Sequence, residues 1–296
     1  MTCRPATGAT PVVCEKSLSD AVFSRPHDAV PPAFAGRDGM RSGALALPGP
    51  AATDLTCVRI DFPDDAPIGA GDAEALRRLA DVSLDPEERA AWDAMRSARR
   101  RQEWLMGRLA AKDAVRGRLE AHGIAAEPAA IAVRPDPLGC PRAAGPAVAA
   151  SGAPMAIAIA HTRGVAAAVA GATADGLGLD IELIDRRRGD YERAAFTDDE
   201  RRRLDAGPAD ERVERALRLF CAKEAVAKAI GRGLMGSPLN LHVLDCDAGM
   251  TCADLEVAGS LARSLPAFHG RRLPAWIGMS DRLVVAWARV EEPPAP

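Results

Sequence analysis

Two apolar runs, residues 154–161 (PMAIAIAH) and 164–172 (GVAAAVAGA), limit the architecture more than any other stretch. Together they form the most apolar part of the chain, but His161 and Arg163 interrupt it well short of the ~20 residues a bilayer span needs. They read instead as two strands with the histidine and Gly164 in the bend between them. Residues 176–184 (GLGLDIELI) read as a further strand, as do LTCVRIDF, the IAVRP of IAVRPDPLGCPR before its turn, LNLHVLDC and LVVAWARV, with a turn at 279–282. Helical signals are interleaved with these. Asp85, Pro86 and Glu88 open a helix as N-cap, first helical residue and capping-box partner. A second helix is predicted over 99–121, closed by Gly123, and 197–230 reads as helical in at least two pieces. Strands and helices mix without strict β-α-β alternation, which predicts an α+β fold. Each half holds a helix and several strands, so a pseudo-duplicated pair of α+β subdomains is expected over 53–172 and 173–291. Residues 1–52, with seven prolines among Ala, Gly and Ser, read as a disordered or linker tail, and the final EEPPAP as a short disordered exit.

Composition narrows the function classes. Hydrophobic residues are 48% and charged residues 27%, which excludes a collagen-like, wholly disordered or membrane-embedded chain. A net charge of −3 argues against a general nucleic-acid or anionic-membrane binder, so any phosphate recognition must be local. Seven cysteines include no C-x-x-C pair and no histidine at metal-ligand spacing, and the N-terminus lacks the apolar segment of a signal peptide; a reducing cytoplasm is the expected compartment. GRGLMG spells G-x-G-x-x-G but follows a helix, whereas a dinucleotide loop follows a strand. No Walker loop, H-E-x-x-H or G-x-S-x-G is present.

Four groups of residues could carry chemistry. Asp180 and Glu182 lie two apart on a strand and share a face, where either a hard cation lies between them or one is a solvated edge residue. Glu224 and Lys228 are spaced i, i+4 on a helix, with Lys223 beside them. They form either a surface ion pair or a proton-transfer and phosphate-neutralising set, the latter favoured because the chain has only four lysines (Lys16, Lys112, Lys223, Lys228). Between Arg99 and Arg118 seven cations face two acids, and Arg108 and Lys112 project with Trp104, Val115 and Leu119 onto the inward arc, toward a bound polyanion or internal salt bridges. His161, at a strand end beside Arg163, is either structural or a donor to a phosphate.

In order along the chain, GRLAAKDA, AIAIAHTRG, GLGLDIE and FCAKEAVAKAIGRGL resemble the Sfp-type 4'-phosphopantetheinyl transferases. Residues 178–182 match the family's (V/I/L)-G-(V/I/L)-D-x-E strand, and residues 220–228 its (W/F)-x-x-K-E-A-x-x-K helix. RRRQEWLMGRLAAKDAV is similar to transferases fused to polyketide synthases. Ala160 and Thr162 flank the histidine where serines are common, and Cys140 stands in a turn that commonly reads G-K-P. The resemblance implies a site between the halves and Mg²⁺-dependent transfer of phosphopantetheine from coenzyme A to a serine of an apo acyl or peptidyl carrier protein, releasing adenosine 3',5'-bisphosphate. It implies Asp180, Glu182 and Glu224 as metal ligands, Glu224 and Lys228 as catalytic residues, and Arg89, Arg108, Arg134, His161 and Lys223 around coenzyme A. A soluble monomer in fatty-acid or polyketide synthesis is expected, with no nucleic-acid or membrane partner. The alternatives are a non-catalytic coenzyme A or carrier-binding module and a Mg²⁺-dependent pyrophosphate hydrolase.

Overall fold

The computed structural model describes residues 40–50, 53–62, 70–184 and 192–291. In chain order the first elements are β1 (Arg41–Ala44), β2 (Leu55–Asp61), α1 (Ala70–Ser83), α2 (Pro86–Asp93) and α3 (Ala98–Glu120). They are followed by β3 (Ala132–Pro135), β4 (Pro141–Ala144), α4 (Pro146–Ala150), β5 (Ala156–Thr162) and β6 (Val165–Gly171). Then come β7 (Gly176–Leu183), α5 (Glu192–Ala195), α6 (Asp198–Asp205), α7 (Arg212–Ala229), β8 (Leu241–Cys246), β9 (Cys252–Val257), α8 (Gly259–Ser264), β10 (Leu273–Ser280) and β11 (Leu283–Val290). The strands form two antiparallel sheets, ordered β1-β2-β6-β5-β4-β3 and β7-β11-β10-β9-β8. Helix and sheet are thus mixed without β-α-β alternation, as the sequence predicts.

The order of layers is helix, sheet, sheet, helix. Leu105, Leu109 and Val115 of α3 pack with Ala166, Ala168 and Ala170 of β6, while Val165, Ala167 and Val169 on the other face of that strand meet Leu179, Val285 and Trp287 of the second sheet. Strand β6 is therefore buried along its whole length, which is why its sequence is apolar at every position. On the far side, Leu217, Cys221 and Ala225 of α7 cover Val284, Ala286 and Ala288.

Two buried brackets tie each long helix to its sheet. Glu88 completes the capping box of α2 with Asp85, accepts Lys112 Nζ at 2.5 Å and accepts the Val133 amide of β3 at 2.9 Å. Glu200 completes the capping box of α6 with Thr197, accepts Lys223 Nζ at 2.8 Å and accepts the Val243 amide of β8 at 2.7 Å. Both lysines are fully buried.

Residues 41–50, read from sequence as tail, are structured. β1 pairs with β2 from Arg41↔Asp61 to Ala44↔Val58, and the chain then crosses to the second sheet. There Leu45 is buried beside Trp287, and the Pro48 carbonyl oxygen accepts Trp287 Nε1–H at 2.7 Å. A four-residue strand (RSGA) is too short to show a period; the exposed edge of β2 holds it. The rest of the expected tail (1–39, 51–52) and residues 292–296 of the exit lie outside the described residues. Among the described residues no helix is long and apolar enough to cross a membrane.

Candidate active site

Alternation along β7 turns Leu177, Leu179 and Ile181 toward the first sheet and Gly176, Gly178, Asp180 and Glu182 toward α7. A Cβ on Gly178 would run into the Ala225 carbonyl oxygen, and one on Gly176 into that of Ala229, so glycine is what lets the α7 backbone settle onto this strand. With the two backbones this close, Lys228 reaches back to donate to the Leu179 carbonyl oxygen at 3.0 Å and to Asp180 Oδ1 at 2.7 Å. The ammonium is therefore directed at a buried strand carboxylate, and the Glu224/Lys228 spacing is not that of a mere surface pair.

Asp180 is only 8% exposed, and its second oxygen, Oδ2, is buried with no hydrogen-bond partner. Burial, then the Asp180 charge, pushes the Glu224 carboxyl above its ordinary value; Lys228 opposes this and Glu182 adds to it. Burial pulls the Lys228 ammonium down, but Asp180 outweighs it and holds the group above its usual value. Cys221, fully buried one turn before Glu224, is pushed well up by burial and by Asp180 and Glu182, so it stays a thiol. From the first sheet, Thr162 Oγ1 donates to Glu182 Oε2 at 3.1 Å. These effects place Asp180, Glu182, Glu224 and Lys228 in one neighbourhood.

Among the described residues no three His, Cys, Asp or Glu side chains stand ready-made as a metal site, and Asp180 Oδ1 is taken by Lys228. The donor chemistry nevertheless fits a hard divalent cation: the groups are all carboxylate oxygens, and the buried Asp180 Oδ2 has no hydrogen-bond partner among the described residues.

The expected cofactor cations divide. Arg108 stacks over Trp104 at 4.4 Å, and its Nε is buried without a hydrogen-bond partner. Burial pulls its guanidinium down, Glu88 opposes this, and the charge of Arg134 adds to the fall, so the two arginines are neighbours of like charge. Arg134 is itself forked onto Asp85 at 2.7 Å to both oxygens and reaches Glu87 at 2.5 Å. Arg89 pairs with Asp81 and with Asp93 at 3.0 Å. His161 is exposed and shares a face of β5 with Ile157 and Ile159, the face on which Gly107 of α3 rests. Lys223 is a correction. It is sealed in the core, donating to Glu200 and to the Ala195 carbonyl oxygen at 2.9 Å, and cannot meet a cofactor. Lys112 is likewise an internal ion pair. Sequence reasoning missed Thr162 and Cys221, although one adjoins His161 and the other precedes Glu224 by three on the same helix.

Residues 176–264 match the family model of the 4'-phosphopantetheinyl transferase superfamily. The chain is 32% identical over 130 residues to the holo-[acyl-carrier-protein] synthase of Methylobacterium radiotolerans, covering 40% of this chain and 94% of that relative. A second relative of the same name, from Methylorubrum extorquens, is 32% identical over 134 residues, covering 40% and 95%. A solved structure, the holo-[acyl-carrier-protein] synthase of Neisseria meningitidis, aligns at 24% identity over 40% of this chain and 98% of its own, with a TM-score of 0.33. The stretch that bears β7 and α7 is thus of phosphopantetheinyl transferase type. The chain belongs to the 4'-phosphopantetheinyl transferase superfamily.

Proposed function

We propose that this protein is an Sfp-type member that transfers 4'-phosphopantetheine from coenzyme A to a serine of an apo acyl or peptidyl carrier protein, releasing adenosine 3',5'-bisphosphate. The observation that carries this is the buried, unpartnered Asp180 oxygen beside Lys228 and an up-shifted Glu224. Asp180, Glu182 and Glu224 would hold Mg²⁺, which when bound neutralises charge on the pyrophosphate. Glu224, its carboxyl held above the ordinary value by burial, takes the serine proton as the hydroxyl oxygen bonds to the phosphorus that carries pantetheine. The bond from that phosphorus to the bridging oxygen breaks, and Lys228 stabilises the charge left on the departing bisphosphate. Arg108 and His161, with Arg89 and Arg134 once released from their carboxylates, supply cations and a donor for the adenosine phosphates.

The same reading takes the chain as two internal repeats, 53–172 and 173–291, with the site between them. The matching strand orders, the two Glu-Lys brackets and relatives that span 40% of the chain support it. Such a chain needs no second copy to complete a site, and we assign it as a cytoplasmic monomer. Incubation with coenzyme A, Mg²⁺ and an apo acyl carrier protein is expected to add one phosphopantetheine to the carrier, read by intact mass. Coenzyme A cleavage without carrier modification would indicate a hydrolase, and binding without either a degenerate module.

A further inference from the structure

We infer that Thr162 is a positioning residue for the carboxylate of Glu182, acting from the opposite half of the molecule; this rests on the transferase reading above. Thr162 ends β5 in the first sheet, whereas Glu182 lies near the end of β7 in the second. Its Oγ1 reaches across and donates to Glu182 Oε2 at 3.1 Å. Its β5 neighbours explain how it arrives there. Ala156, Ala158 and Ala160 occupy the face that packs on the second sheet, and Thr162 continues that face one step beyond the buried alanines. The packing between the sheets, not the loop, therefore sets where the hydroxyl stands.

Glu182 needs such a hold. It carries more rotatable bonds than Asp180 and is half-buried beside the Asp180 and Glu224 charges, which repel it from the position a shared cation requires. A hydroxyl that donates to one oxygen fixes the rotamer and steadies the charge without adding a competing cation. Threonine is suited to this because its branched Cβ restricts χ1. The docking of the two halves thus becomes part of the carboxylate site: one half brings the ligands, the other aims one of them.

The test compares wild type, Thr162→Val and Thr162→Ser. Mn²⁺ binding in the presence of coenzyme A, without carrier, is measured by calorimetry, alongside the Mg²⁺ dependence of carrier modification and the thermal midpoint. Thr162→Val is expected to weaken Mn²⁺ about 10-fold or more and to raise the Mg²⁺ needed for half-maximal turnover in step. Its thermal midpoint should stay at the wild-type value, and Thr162→Ser should restore most of the affinity. Wild-type metal affinity in Thr162→Val, or equal impairment of both variants, overturns the inference and leaves the transferase reading standing. A wild-type protein that binds no divalent ion and modifies no carrier overturns both.

Discussion

Asp113 and Glu224 occupy corresponding places after the buried lysines Lys112 and Lys223, one on α3 and one on α7, yet their surroundings give them different chemistry. Glu224 looks onto Asp180 and Glu182, whereas Asp113 is 8% exposed with only Arg116 beside it, at 3.3 Å, and a buried Oδ2 without a partner. Burial pushes the Asp113 carboxyl up to about 6. Because the folded value lies above the unfolded one of ~3.9, the folded state keeps the proton longer, and stability falls as pH rises between them. Relative to Asp113→Asn, wild type should lose about 3 kcal/mol between about pH 4 and pH 7, seen by urea denaturation at the two values. Parallel profiles for the two proteins would contradict this assignment. For Glu224 and Lys228 the expected losses are functional. Glu224→Gln should lower turnover by about 10²-fold or more and alter the Mg²⁺ dependence. Lys228→Ala should reduce kcat more than it weakens coenzyme A, because its charge is needed most as the phosphate bond breaks. Steady-state kinetics on a fixed carrier separates the two patterns, and unchanged kcat in either variant would remove that residue from the chemistry.

At the scale of elements, the short capped helices α2 and α6 do more than begin the longer helices. Each delivers a glutamate that neutralises a fully buried lysine and also caps the first amide run of the next strand pair. Replacing Glu200 by alanine strands the Lys223 charge and should cost about 3 to 5 kcal/mol, whereas Glu200→Gln with Lys223→Met should recover much of it. Denaturant midpoints check this, and a mild loss in the single variant would mean the bracket is not closed. The bracket around Glu88 was half legible: Asp85, Pro86 and Glu88 announce the helix start. That Glu88 meets Lys112, 24 positions on, is a tertiary fact that no local pattern carries. Thr197 and Glu200 spell the same capping box, and its closure on Lys223, 23 positions on, is tertiary in the same way. β7 and α7 were legible because glycines alternate with apolar residues on the strand and the lysines are rare on the helix. β9 and β10 do alternate, with Ala253, Leu255 and Val257 and then Leu273, Ala275 and Ile277 inward, but they are not among the strands expected from the sequence, and β1 has only four residues.

For the molecule as a whole, the two sheets share one apolar layer, and that layer positions the candidate site. Leu179 and Ile181 look inward to Ala158 and Val169, so Asp180 between them and Glu182 just beyond must look out toward α7. Residues 45–48 fasten the same two sheets from the outside, from the edge of β2 to Trp287, whose ring stacks on Trp276 at 4.5 Å between centroids. When the two sheets are aligned on their hairpin turns, the β2 residue at the place of Asp180 is Val58, so β2 carries no matching carboxylate there. The most direct measurement is the intact mass of an apo acyl carrier protein, followed together with adenosine 3',5'-bisphosphate, after incubation with this protein, coenzyme A and Mg²⁺. The account predicts one phosphopantetheine gained per carrier, one bisphosphate released per gain, and neither when Glu224 is replaced by glutamine. A carrier of unchanged mass, or bisphosphate released without it, would contradict the account.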